Sequence, residues 1–171
     1  MTKLSSQVLD EIANRTANEG IDYRSCSRSV LHGLQKYFDF INDDIVQAGV
    51  ALAGGGGRAT VGSCGAFSSG LMVLSAKFSP RSEELSEKEI EEFDKVRSNF
   101  NEFRDWFLAE FGSVLCWDVQ RWALGRSFNL MDDEHRQAFR DFQEVHGRKC
   151  SQVTTKAALK VAEILSREDT R

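Results

Sequence analysis

The chain has 171 residues, length for about one domain, and a domain near this size buries roughly 70% of the surface its unfolded form exposes. Its formal net charge of -4 comes from 22 basic and 26 acidic residues that are interspersed, so no basic block marks a nucleic-acid surface. Acidic residues interrupt the N-terminus before an apolar signal core forms, and no apolar run approaches the ~18 residues of a membrane span, so a soluble cytoplasmic protein without membrane insertion is expected.

From Ser5 to Thr16 the residues Val8, Leu9 and Ile12 share a face opposite Asp10, Glu11 and Arg15, which predicts an amphipathic helix stopping near Gly20. Val30, Leu31, Leu34, Tyr37, Phe38 and Ile41 form the next helical stripe, with Asp22 and Ser25 as candidate caps and Cys26 at its start. Asp43 and Asp44 begin a short helix that the run Gly54 to Gly57 ends. Beyond that run, Phe67, Leu71, Leu74 and Phe78 recur at helical spacing, so Ser63 reads as the N-cap and Cys64 as a first-turn residue, with Ser79-Pro80 as the stop.

Ser86 and Glu89 have capping-box spacing, and Ile90, Phe93, Val96, Phe100, Phe103 and Phe107 follow on one face up to Gly112. Ser113 is then a candidate cap for a helix carrying Cys116, Val119 and Trp122 and closing at Gly125. Asp132 and Asp133 open another, with Phe139, Phe142 and Val145 inward and Gly147 as its stop. Cys150 opens the last helix, whose inward face is Val153, Ala157, Val161, Ile164 and Leu165. No segment alternates with period two. The expected fold is all-α, a single-domain bundle of seven or eight helices over residues 1–171 with its core in 22–166, and a glycine-rich loop before the central cysteine helix.

Cys26, Cys64, Cys116 and Cys150 each fall at the start of a different predicted helix, where the helix dipole and unpaired amides favour the thiolate. Their separations are too long for any local chelate, so a shared site must be assembled by the fold. Arg24 and Arg28 flank Cys26, Arg58 precedes Cys64, and Arg148 and Lys149 precede Cys150, so positive charge accompanies three of the four thiols.

Ser25-Cys26, the glycine run leading to Cys64-Gly65-Ala66, Phe111-Gly112 ahead of Cys116, and Lys149-Cys150 before an alanine-rich helix together resemble the family of redox-active proteins named for its C-GCAxxG-C-C pattern. The resemblance spans about Cys26 to Leu165, and one departure is visible: Ser69 stands where the motif places its final glycine, with Gly70 one residue later. It implies a small helical domain with four shared cysteines and, through a similar domain in split-Soret cytochromes, an iron-sulfur cluster on Cys26, Cys64, Cys116 and Cys150, of the two-iron type and exchanging electrons with a redox partner protein. Two other chemistries remain open for the same thiols: disulfide exchange, with Cys64 attacking and another cysteine resolving, and a structural zinc or purely buried cysteines in an interaction module.

Gly54 to Ala59 satisfies G-x-G-x-x-A but follows a predicted helix, so a dinucleotide site fails its context test. The amides from Gly62 to Ala66, those of Gly62 and Gly65 among them, are a candidate cradle for a cofactor or anion. Trp117 adjoins Cys116 and is a candidate apolar cover for a cofactor there, while His146, four residues before Cys150, is a candidate donor behind the thiols. The acidic run Glu83 to Glu92 reads as a solvated helix face.

Overall fold

The computed structural model describes residues 4–22, 25–80 and 86–168. Among the described residues there are eight α-helices: α1 (Ser6–Asp22), α2 (Cys26–Gln35), α3 (Asp43–Gly49), α4 (Gly65–Phe78), α5 (Glu87–Phe111), α6 (Cys116–Leu124), α7 (Asp133–His146) and α8 (Lys149–Glu168), with a single 3-10 turn at Val50–Leu52. The all-α expectation holds, and pairing outside the helices is limited, among the described residues, to one isolated antiparallel bridge between Ser63 and Leu115.

Several boundaries follow the local chemistry. Ser86 and Glu89 form the reciprocal capping box that opens α5, and Gly112 at φ 76° ends it in the left-handed region, which glycine enters without a Cβ penalty. Asp132 caps α7 by accepting from the His135 amide. Other boundaries moved. α1 runs to Asp22 instead of stopping near Gly20, so Ser25 alone caps α2. α2 ends at Gln35, leaving Tyr37, Phe38 and Ile41 to pack from the following turn. Asn42 caps α3, with Asp43 and Asp44 in its first turn facing the positive end of the dipole. The residues Glu83 to Leu85 of the acidic run lie outside the described residues, as does Arg24.

α8 is the axis of the bundle and packs against α1, α2, α4, α5 and α6. Its stripe of Val153, Ala157, Ala158, Val161, Ala162, Ile164 and Leu165 is buried, and small residues there let neighbouring helices come close. α1 and α2 also approach closely, since a Cβ added to Gly33 would stand 2.0 Å from the Thr16 hydroxyl. The C-terminal half of α5 supplies an aromatic layer: Phe103 stacks on Phe67 with ring centroids 5.9 Å apart, and Phe107 and Phe111 are 4.5 Å apart. The expected inward stripe does not extend to Ile90, which is 47% exposed, because the first turns of α5 reach past the core. A second, smaller apolar cluster of Leu124, Phe128 and Leu130 is covered by Phe139, Phe142 and Cys150. It anchors α7, whose Val145 points to solvent at 77% exposure instead of inward.

Candidate cysteine site

Four helix starts deliver the four thiols. Ser25 caps α2 by accepting from the Arg28 amide, which makes Cys26 the first residue of that helix. The loop from Gly54 to Thr60 then folds back on itself through Gly57 N–H to Ala51 C=O (2.6 Å) and Thr60 N–H to Gly54 C=O (2.8 Å). Gly55 is required here: its φ is 82°, and a Cβ would meet the Thr60 backbone at 2.9 Å. Arg58 and Thr60 also take positive φ, 62° and 67°, without glycine's freedom.

The segment after this loop is clamped to the approach to α6. Cys64 N–H donates to Val114 C=O at 2.7 Å, Cys116 N–H to Gly62 C=O at 2.9 Å and Trp117 N–H to Thr60 C=O at 3.0 Å. Two cysteines 52 positions apart are thereby set on neighbouring strands of chain. Cys64 is itself the N-cap of α4, with no side-chain capping bond, where Ser63 was expected; the pairing of Ser63 with Leu115 holds the chain extended up to that point. α6 likewise starts directly at Cys116 with Leu115 as cap, and Ser113 braces the turn by accepting from Leu115 N–H and donating to Asp118. Cys150 arrives in the first turn of α8.

All four cysteines line one cavity of about 300 Å³, together with Ala53, Ala66, Val119, Leu130, Phe139 and Val153. All four are free thiols. Cys64 senses the charge of Cys26, Cys116 and Cys150, and Cys150 that of Cys26 and Cys116. Burial dominates their acid-base behaviour and overturns the expected thiolate preference: it is the main reason Cys116 is pushed up to about 11 and Cys26, Cys64 and Cys150 are raised, with charge repulsion among the sulfurs adding to the rise at Cys64, Cys116 and Cys150. Backbone amides work in the other direction, those of Gly54 and Gly65 at Cys26 and that of Ala66 at Cys64. Among the described residues, no three His, Cys, Asp or Glu side chains are grouped as ligands of a single ion.

Gly65 does not line the cavity but sits against Cys26, whose Sγ would be 2.5 Å from an added Cβ. Gly62 stands behind the wall, its Cα facing the Gly55 carbonyl oxygen, which an added Cβ would approach to 2.3 Å. Trp117 is half-buried outside the cavity. His146 is exposed and rests on Phe142, ring centroids 4.4 Å apart, so it backs no thiol. Of the basic residues near the cysteines, Arg28 turns to the buried carboxylate of Glu19, whereas Arg58 and Arg148 do line the cavity. One neighbour escaped the sequence reading: Gln120 is 2% exposed, donates to Cys116 Sγ at 3.5 Å and accepts from Phe128 N–H at 2.9 Å. Its signal was present, one helical turn beyond Cys116, but polar residues at that spacing are too common to single it out.

The departure from the motif is absorbed by the helix. Ser69 is fully buried and satisfies its hydroxyl on the Gly65 carbonyl at 2.7 Å, while Gly70 makes the close approach, with Phe103 only 2.2 Å from where its Cβ would be.

No curated protein and no solved structure gives a significant match to this chain. A family model described as "Putative redox-active protein (C_GCAxxG_C_C)" matches residues 24–164, a span that includes all four cysteines and the loop that places them. The chain belongs to that family of redox-active proteins.

Proposed function

We propose that the four thiols of the cavity hold an iron-sulfur cluster of the two-iron type and that the chain exchanges single electrons with a partner protein. The observation that carries this reading is the lining of one cavity by Cys26, Cys64, Cys116 and Cys150 from four separate helices. The donor set fits the group: thiolates are the soft ligands that iron-sulfur clusters take. Bound there, the cluster supplies one-electron chemistry. The protein's part is to position and insulate: Val119, Phe139 and Val153 exclude water, and Gln120 Nε2 and the amides of Gly54 and Gly65 offer hydrogen bonds to sulfur, the kind of contact that tunes a cluster's potential. Each cysteine has to release its Sγ proton on ligation, and the Gly54 and Gly65 amides lower that cost at Cys26 and Gln120 lowers it at Cys116.

Iron and acid-labile sulfide analysis of protein isolated without oxygen tests the reading, with visible absorbance and paramagnetic resonance of the reduced form. Equal iron and sulfide, lost together when Cys64 is replaced by Ser, is the expected outcome. Stoichiometric zinc without sulfide, or well-folded protein that takes up no iron on reconstitution, would refute it. Loss of two protons per bridge on mild oxidation of iron-free protein would transfer the assignment to disulfide exchange.

A further inference from the structure

The chain as a whole is acidic, yet the charged side chains that line the thiol cavity are Arg58, Arg136, Arg140 and Arg148 against the single carboxylate of Glu144. They are not equivalent. Arg136 is tied down, donating to the carbonyls of Leu130 and Met131 at 3.0 Å each and pairing with Asp133. Arg140 donates to Gln137 within α7, a neutral acceptor that leaves its charge in place. Arg58 is exposed and its guanidinium forms no hydrogen bond or ion pair among the described residues.

The backbone at Arg58 makes its placement more than incidental. Its φ of 62° is a conformation that glycine or asparagine enters more readily than a residue with a long side chain. Four glycines precede it. α7 contributes Arg140 and Phe139 to the same cavity lining and has no fully buried residue of its own. Cationic groups from two separate segments, the glycine-rich loop and α7, thus line a recess that apolar side chains and four sulfur atoms also line.

We infer that this recess is a binding site for a small organic anion, one carrying a carboxylate or a comparable oxyanion, held by Arg58 and Arg140 with its apolar part toward the cysteines. Guanidinium groups recognise such oxyanions through paired N–H donors, and a cationic recess with low-dielectric walls concentrates anions by focusing the field. A recess of about 300 Å³ selects a small molecule over an extended acidic surface. The inference stands on the charges and shape of the cavity with its four thiols free, separately from the proposed cluster.

The thiols themselves report on it. Iodoacetate and iodoacetamide form the same carbon-sulfur bond with expulsion of iodide and differ in charge, so their rate ratio on metal-free, full-length protein, followed by mass spectrometry at each cysteine, reads anion preference independently of thiolate fraction. Folded protein is expected to favour iodoacetate about tenfold relative to the unfolded chain, with citrate suppressing the preference. Arg58→Asn, which suits the left-handed backbone and so retains the fold, is expected to lower the ratio about threefold to fivefold, as one unit charge at close range would. Arg140→Gln should act similarly and Arg58→Lys should retain the ratio. A ratio equal to that of the unfolded chain, or one that persists in both charge-removing variants, would overturn the site, whatever the iron content of the same preparation.

Discussion

Leu130 N–H donates to the Thr60 hydroxyl at 2.9 Å, across 70 positions of sequence and with Thr60 at 1% exposure. This contact joins the glycine-rich loop to the small apolar cluster beneath α7 and so ties the segment leading to Cys64 to Leu130, which also lines the cavity. It accounts for a β-branched residue at φ 67°, since Thr60 also donates its N–H to Gly54 and accepts from Trp117. Thr60→Val keeps the shape and the backbone restriction and removes only the acceptor, orphaning a buried amide. The expected loss is about 1–3 kcal/mol, a drop of about 2–4 °C in melting temperature per kcal/mol for a chain of this size. Equal urea midpoints for the two proteins would show that the hydroxyl is idle.

Gly70 faces Phe103 where α4 meets α5, and an alanine at 70 cannot fit while the ring stays in place. Helix propensity alone favours Gly70→Ala by about 1 kcal/mol, whereas overpacking a fully buried ring costs typically 1–3 kcal/mol. The variant is therefore expected to be less stable than the native protein, and Phe103→Leu in the same chain should restore part of the loss. Additive effects in the double-mutant cycle would count against direct coupling.

Much of this was legible in the sequence where the determinant is local. The Ser86–Glu89 box, the glycine stops at 112, 125 and 147, and the inward stripe of α8 all follow from residues within one or two turns of each other. The four helix starts bearing cysteine were legible for the same reason. What was hidden depends on distant segments: Ser63 loses the cap of α4 because Leu115 pairs with it, and Cys64 takes its place. The thiols' acid-base character was misjudged because a helix terminus is visible in sequence, whereas the burial that outweighs it comes from other helices. Ile90 and Val145 fit the period of a buried face, but periodicity does not say how far along a helix the core extends.

Gly65 bears directly on Cys26. It lies in the first turn of α4 with no positive φ, so alanine suits its backbone, and the obstruction is the Cys26 sulfur together with Ala53 Cα and the Leu52 carbonyl oxygen, both 3.2 Å from the added Cβ. Gly65→Ala is expected to retain native helix content while displacing Cys26, to lower stability by about 1–3 kcal/mol and, if the proposed cluster is bound, to lower iron retention as well. Full iron loading at unchanged stability would mean that the sulfur moves aside at no cost.

The clasp between α5 and α8 gives the fold a dependence on pH that can be signed. Glu102 receives Lys160 Nζ at 2.8 Å and Arg167 Nη2 at 2.5 Å. Partial burial pushes this carboxyl upward, and the hydrogen bonds from Arg167 and Lys160 outweigh it, leaving the pKa below the ordinary carboxylate range. A group depressed in the folded state adds stability that is complete above its unfolded pKa of about 4.3 and is lost as pH falls through the folded value. Glu102→Gln removes that titration. Because the carboxylate is 35% exposed and solvent screens the pair, its contribution should be no more than about 1 kcal/mol at neutral pH. The gap between the native protein and the variant in urea unfolding should be constant from pH 7 to pH 5 and close below pH 4. It should also narrow in 1 M salt at pH 7, where the screening length falls to about 3 Å. A gap of the same size at pH 3 as at pH 7 would show that packing of the side chain, and not its charge, holds the two helices together at this point.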